Sequence, residues 1–181
     1  MGQVTEFPGP AGRSAITPPT PLSASHDRER FSCGYPLLDD WLKQHALASE
    51  GRSARTYVVC SGATIVGYYC LATGAEKRAS MPRKIRHGNP DPVPLVIIGR
   101  LAVDSAFQGQ GVGPGLLKDA LARALAVAEI AGCRAVLVHA IDDRAVAFYT
   151  KADFVEFPNG TRTMFLPIET IAATAGEGGP P

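Results

Sequence analysis

The sequence predicts an α/β fold in which helices sandwich one mixed β-sheet. Three observations predict it. The elements read in the order helix, hairpin, strand, helix, strand, helix, hairpin. Two pairs of β-rich runs lie close enough in sequence to form hairpins. Between them, an apolar β-branched run feeds a glycine-rich turn that opens into a long amphipathic helix. At 181 residues the chain suits one domain with a sizeable core.

Each element has its own signal. Residues 1–24 are proline-rich with few large apolar side chains and read as a disordered leader, 25–171 as the folded domain, and 172–181 as a disordered tail. Leu37, Leu38, Trp41, Leu42, His45 and Ala46 recur at helical spacing and predict a helix over 36–49. Thr56 to Cys60 and Ile65 to Leu71 flank the turn Ser61-Gly62-Ala63-Thr64 and form a hairpin. Residues 76–92 are polar, basic and proline-containing, and read as a long loop. Leu95 to Val103 is the central strand. A helix follows from about Pro114 to 131, with Leu116, Leu117, Leu121, Leu125 and Ala128 on one face, and stops at Gly132. Ala135 to Ala140 is apolar throughout, as in a buried strand. Asp142 is placed to cap a short helix carrying Ala145, Phe148 and Tyr149. Phe154 to Phe157 and Thr163 to Leu166 close the chain as a hairpin around Asn159-Gly160.

Composition narrows the function. A hydrophobic content of 45% excludes a wholly disordered chain, and a net charge of +1 gives no global preference for nucleic acid, so any such preference is local. No apolar run reaches the length of a membrane span: Arg100 and Asp104 interrupt the one from Val93, Arg123 and Glu129 the alanine-rich helix. No basic region followed by an apolar stretch opens the chain, so no secretory signal is expected. Cys33, Cys60, Cys70 and Cys133 form no Cys-x-x-Cys pair, which predicts reduced, mostly buried thiols in a cytoplasm and no metal site.

The most informative segment is 100–117, Arg-Leu-Ala-Val-Asp-Ser-Ala-Phe-Gln-Gly-Gln-Gly-Val-Gly-Pro-Gly-Leu-Leu. Gly109, Gly111 and Gly113 remove side chains where a ligand would approach the backbone. Pro114 suits the first turn of a helix because its missing N–H would be unpaired there anyway. N–H groups gathered at a helix N-terminus favour a phosphate, and the Gln108 amide is placed to add a donor. The bland alternative is a tightly packed strand–turn–helix junction. The pattern is Gln-x-x-Gly-x-Gly, without the Lys-Ser/Thr of a nucleotide P-loop, and it lies mid-chain, whereas a dinucleotide fingerprint follows the first strand.

This segment resembles the acetyl-coenzyme A signature of the GNAT N-acetyltransferase superfamily. The element order matches that fold as well, which implies a three-layer sandwich around a mixed, mostly antiparallel sheet. Further stretches resemble one branch, the bacterial toxins of toxin–antitoxin pairs that acetylate aminoacyl-tRNA: Phe31-Ser32-Cys33-Gly34, Leu38-Asp39-Asp40-Trp41-Leu42, Ala54 to Val59, Val66-Gly67-Tyr68-Tyr69, Gly99 to Asp104, Val138-His139-Ala140 and Phe148-Tyr149. Two departures stand out. Asp153 occupies a position where glycine commonly precedes the aromatic, which bears on a tight turn. Asp142 occupies one where asparagine is common, which bears on a contact to the pantetheine arm.

The resemblance implies roles. Acetyl-coenzyme A is the cosubstrate, held by Gln108, Gly109, Gln110, Gly111, Val112, Gly113 and Pro114, by the backbone of Leu101, Ala102 and Val103, and by Asp142 and Phe148. Tyr149 is the candidate general acid. A tyrosine's ordinary pKa of ~10 keeps it protonated at neutral pH, ready to donate to a thiolate leaving group; without the resemblance, it reads as a core or rim aromatic. No general base stands out, and His139, closing a buried strand, reads as structural. Residues 77–90 hold Lys77, Arg78, Arg83, Lys84 and Arg86 and no acid, so they are the candidate tRNA contacts, together with Arg100; the bland reading is a solvated, mobile loop. The implied partners are aminoacyl-tRNA, a ribbon–helix–helix antitoxin and a second copy of the chain, with no membrane. The alternatives are an N-acetyltransferase of a small amine or protein N-terminus, and a non-catalytic binding module on the same fold.

Overall fold

The computed structural model describes residues 15–177. The elements are β1 (Thr20–Pro21), α1 (Pro36–Asp40), a π-helical turn (Trp41–His45), α2 (Ala46–Ser49), β2 (Arg55–Ser61), β3 (Thr64–Glu76), α3 (Arg83–Arg86), β4 (Val93–Val103), α4 (Val112–Ala131), β5 (Ala135–His139), α5 (Asp143–Thr150), β6 (Val155–Glu156), β7 (Thr163–Pro167) and α6 (Ile168–Glu177). The strand order is β1-β2-β3-β4-β5-β7-β6 in one seven-stranded sheet. The pairs β1–β2, β2–β3, β5–β7 and β6–β7 are antiparallel and β4–β5 is parallel, giving the mixed, mostly antiparallel α/β sheet expected. The chain forms two compact units: residues up to Ala72 with Arg100–Ala120, and Thr73–Gly99 with Leu121 onward.

In the first unit, the expected helix over 36–49 is present, interrupted by the π-helical turn. Of its predicted apolar face, Leu42 and Ala46 are fully buried and Leu38 and Trp41 are partly so, but Leu37 is 78% exposed and His45 also faces solvent. The buried set packs on Phe31, Val58, Ile65 and Tyr68. Part of the expected leader is ordered. Ile16 and Leu22 are buried, Thr17 exchanges hydrogen bonds with Cys60, and Thr20–Pro21 pairs with Tyr57 and Val58. The prolines there suit an outermost strand, which has a side that needs no N–H donors. The start of the ordered chain therefore lies before residue 25; residues 1–14 lie outside the described residues.

α4 begins at Val112, two residues before the expected Pro114, because Val112 is a buried anchor. Its buried face runs Val112, Leu116, Leu117, Ala120, Ala124. Gly67 of β3 sits beneath its first turns. A Cβ built on Gly67 would lie 3.0 Å from a methyl of Leu116, 3.1 Å from one of Val59 and 3.2 Å from one of Val112. An added methyl would force these side chains to give by a few tenths of an ångström.

In the second unit, β4 and β5 are in register from Leu95–Ala135 to Ile98–Val138. The 76–92 segment is not a bare loop. It contains a 3-10 turn (Arg78–Ser80) and α3, and it inserts Met81, Ile85 and Asn89 into the interior. Met81 and Ile85 belong to the same apolar cluster as Val93, Leu95 and Phe165. Part of the expected tail is helical too: α6 runs through Glu177, with Ile171 buried and Glu169 paired to Arg134 at 2.7 Å. Residues 178–181 lie outside the described residues. All four cysteines are buried free thiols, and no helix of the described residues is long and apolar enough to cross a membrane.

Gly67→Ala is expected to lower stability by about 1–3 kcal/mol, since an added methyl overpacks a filled site. Denaturant unfolding checks this; a variant as stable as the parent would show that α4 can ride outward without cost.

Candidate acetyl-transfer site

The glycine turn lies in the first unit and is built by short-range bonds. Asp104 ends β4; its carboxylate accepts from Ala106 N at 2.9 Å and from Ser32 N at 3.0 Å. A 3-10 turn (Ser105–Phe107) follows. Gln108 then donates its side-chain amide to two carbonyls, Cys33 O and Val103 O, each at 3.0 Å. Its Nε2, expected to face a phosphate, is thereby committed to the protein and fastens the turn. Gln110 likewise donates Nε2 to Ala106 O at 3.1 Å. Cys33 contributes its carbonyl rather than its thiol: burial first, and then Asp39, push the thiol up to about 12.

Gly109 and Gly111 have φ of +73° and +82°, a region that L side chains rarely adopt, and a Cβ on either would meet nothing within 4 Å. These glycines are required by backbone conformation and not by crowding, so their outer side is open. Directly behind them, the first turn of α4 presents N–H groups that have no carbonyl four residues back. Gly113 and Pro114 fall inside that first turn. An open cradle backed by a helix N-terminus fits a pyrophosphate by hydrogen bonding and by dipole. Ala102 is buried, Leu101 and Val103 are half-buried, and all three lie beyond the last β4–β5 pair, Ile98–Val138.

Arg100, the residue before that stretch, lies with its guanidinium carbon 4.4 Å from the Trp41 ring centroid. Trp41 stacks on Tyr68 at 5.9 Å with 15° between the rings, and Phe31 meets Tyr68 edge-on. The Tyr68 hydroxyl donates to Leu38 O at 2.8 Å.

In the second unit, α5 is capped as predicted, with the Asp142 carboxylate accepting from Ala145 N at 2.8 Å. That oxygen caps the helix. Tyr149 is 7% exposed, and its ring lies between Phe148 (centroids 5.1 Å apart) and Phe154 (5.3 Å). The backbone fixes it further. Phe154 N donates to Tyr149 O and Asp153 N donates to Thr150 O, while Asp153 has φ +65°. This is a Schellman motif with aspartate in the left-handed position that glycine usually takes, and the Phe154–Tyr149 contact is its hydrophobic clasp. The tight turn persists despite Asp153. His139 corrects another expectation: β5 is buried only to Val138, and His139 is exposed, with Nδ1 3.0 Å from Thr163 Oγ1.

The basic segment divides in two. Arg86 donates to the carbonyls of Ala79 and Met81, and Arg78 donates to Asn89 O, so these guanidinium groups brace their own fold. Lys77 and Arg83 are exposed. Sequence alone does not separate these five cations, and it places Trp41, the chain's one tryptophan, on a helix face and in the Leu38-Asp39-Asp40-Trp41-Leu42 stretch without its contact to Arg100.

The acetyltransferase (GNAT) family matches residues 21–154, and the chain belongs to that family. Within it, a tRNA-acetylating toxin of Mycobacterium tuberculosis (strain ATCC 25618 / H37Rv) is 39% identical over 165 residues, which is 91% of this chain and 99% of that protein. The solved structure of AtaT complexed with acetyl-methionyl-tRNAfMet is similar with a TM-score of 0.81 at 27% identity, covering 88% of this chain and 99% of that one. A tyrosine-to-phenylalanine mutant of AtaT bound to acetyl-CoA and the C-terminus of the antitoxin AtaR is similar with a TM-score of 0.77 at 26% identity, covering 88% and 98%.

Asp153→Gly is expected to stabilise the protein by about 1 kcal/mol, by removing the cost of a left-handed aspartate. Thermal melting at neutral pH checks this; no gain would mean that the aspartate side chain offsets its own backbone strain.

Proposed function

We propose that this protein is an acetyl-CoA-dependent N-acetyltransferase toxin that acetylates the α-amine of aminoacyl-tRNA and so blocks translation. The observation that carries the reading is the open-sided glycine turn at the head of α4, in a chain similar to a tRNA-acetylating toxin over 91% of its length. The cosubstrate supplies the acetyl group as a thioester. The backbone of Gly109, Gln110, Gly111, Val112 and Gly113 holds its pyrophosphate, with Pro114 shaping the helix start. The peptide groups of Leu101, Ala102 and Val103 hold the pantetheine arm and polarise the thioester carbonyl. Gln108 and Asp142 act one step back, as the staple of the turn and the cap of α5. Phe148 packs beside Tyr149.

Tyr149 donates the proton that the departing thiolate needs. Its place in the Schellman motif fixes the ring, and precise placement is what a proton donor requires. No protein base is needed on the acceptor side: the proton lost by the attacking nitrogen passes to water, and the proton that Tyr149 gives to the thiolate is restored from solvent. A free α-amino group titrates near ~8, so a useful fraction is neutral at physiological pH. Aminoacyl-tRNA is found in the cytoplasm, where the four free thiols stay reduced. A homodimer and a ribbon–helix–helix antitoxin complete the reading; the AtaT complex with the AtaR C-terminus supports an antitoxin partner.

Tyr149→Phe keeps the clasp and removes the proton donor. Turnover is expected to fall by about 10²–10⁴-fold with acetyl-CoA affinity retained, and growth arrest on expression without antitoxin should disappear. Near-normal turnover would make Tyr149 a packing residue only; a harmless parent protein would sink the toxin reading.

Cations of the 76–92 segment supply a second test. Replacing Lys77, Arg83 and Lys84 by glutamine should weaken tRNA binding and reduce the log–log salt slope by roughly 0.7–0.9 per lost phosphate contact, leaving acetyl-CoA binding unchanged. Parallel slopes for parent and variant would remove the loop from the tRNA surface and favour a small-amine acceptor.

A further inference from the structure

We infer that Trp41 is a positioning residue that holds Arg100 as a fixed fork for a single phosphodiester of the acceptor nucleic acid. The inference rests on the tRNA reading above and deepens it. Arg100 is half-buried and, among the described residues, is not paired with any carboxylate. Its guanidinium carbon lies 4.4 Å from the centroid of the Trp41 ring. A guanidinium over an aromatic face keeps its N–H edges for hydrogen bonds, and two of them match the oxygens of a phosphate.

The platform beneath is rigid. Trp41 stacks on Tyr68, which is fully buried, braced edge-on by Phe31 and tied through its hydroxyl to Leu38 O. Trp41 also opens the π-helical turn, where Ala46 N reaches back to Trp41 O, five residues earlier. Such turns occur mostly as single-turn bulges and frequently at functional sites. Arg100 directly precedes Leu101, the first of the three residues proposed to hold the pantetheine arm. An acceptor phosphate gripped at Arg100 would thus be registered against the reacting strand itself.

The test uses deacylated bulk tRNA and acetyl-CoA as separate probes. Affinity for tRNA is measured across 50–200 mM salt by filter binding, and acetyl-CoA affinity by calorimetry, for the parent and for Arg100→Gln, Arg100→Lys, Trp41→Leu and Trp41→Phe. Arg100→Gln should weaken tRNA binding and reduce the salt slope by about 0.7–0.9, one phosphate's worth. Arg100→Lys should keep the slope but lose affinity, having no fork. Trp41→Leu, which changes no charge, should weaken tRNA binding by about twofold to thirtyfold, and Trp41→Phe should restore most of it. Acetyl-CoA affinity should hold throughout. Arg100→Gln carries the test if Trp41→Leu does not fold. Unchanged tRNA binding in the variants, with the parent binding, overturns the inference alone. Loss of acetyl-CoA affinity with tRNA affinity intact would make the ligand a coenzyme phosphate and overturn it too. A parent that does not bind tRNA removes the substrate reading and this inference together.

Discussion

The first turn of α4 lies on Gly67, where a methyl group would crowd Leu116, Val59 and Val112. Val112 and Leu116 reach down on either side of the bare Cα, and Val59 closes the space from the neighbouring strand. Much of the proposed cosubstrate site depends on this contact. The helix start fixes where its unpaired N–H groups point, and the turn of Gly109 to Gly111 has to meet it. The other end of the turn is fastened by Gln108 to the carbonyls of Cys33 and Val103, and by Asp104 to the backbone of Ser32 and Ala106. A turn held at both ends can keep two glycines in left-handed conformations while leaving their outer side open. Binding then costs little reordering of the protein, which is the advantage of a preorganised site.

The second unit applies the same economy to one side chain. Tyr149 has its backbone set by a Schellman motif and its ring set by Phe148 and Phe154. Asp153 holds the left-handed position at a cost that glycine would avoid. Local strain tolerated beside a proposed proton donor is consistent with placement taking precedence over stability there. Charge is treated alike. Arg78 and Arg86 spend their guanidinium groups on the loop's own carbonyls, and Met81 and Ile85 anchor that loop in the core. A basic stretch that reads as loose in sequence is thereby held in shape.

The periodicities of the chain were enough to order its elements, because local patterns record which side of each element is buried. Hence the helix over 36–49, both hairpins, the central strand and the Asp142 cap are legible without coordinates. So is the glycine turn, since positive φ and a helix start demand particular residues at particular spacings. The differences have a common physical source. Leu37 has the helical spacing of a buried face and is exposed; His139 follows a buried apolar run and faces solvent; Ile16 to Leu22 have the composition of a leader and pack on β2. In each case the deciding neighbour is distant in sequence.

The sequence by itself determined the family, the element order, the turn chemistry and the candidate proton donor, all of which depend on residue type and local spacing. Only the tertiary structure decided what each polar group is used for. Gln108 donates to carbonyls 75 and 5 residues away. Trp41 finds Arg100 and Tyr68 through the fold, and Gly67 finds Leu116 and Val112. A side chain's hydrogen-bond capacity is written in its chemistry, but its partner is chosen by packing, which brings together segments that no local pattern links.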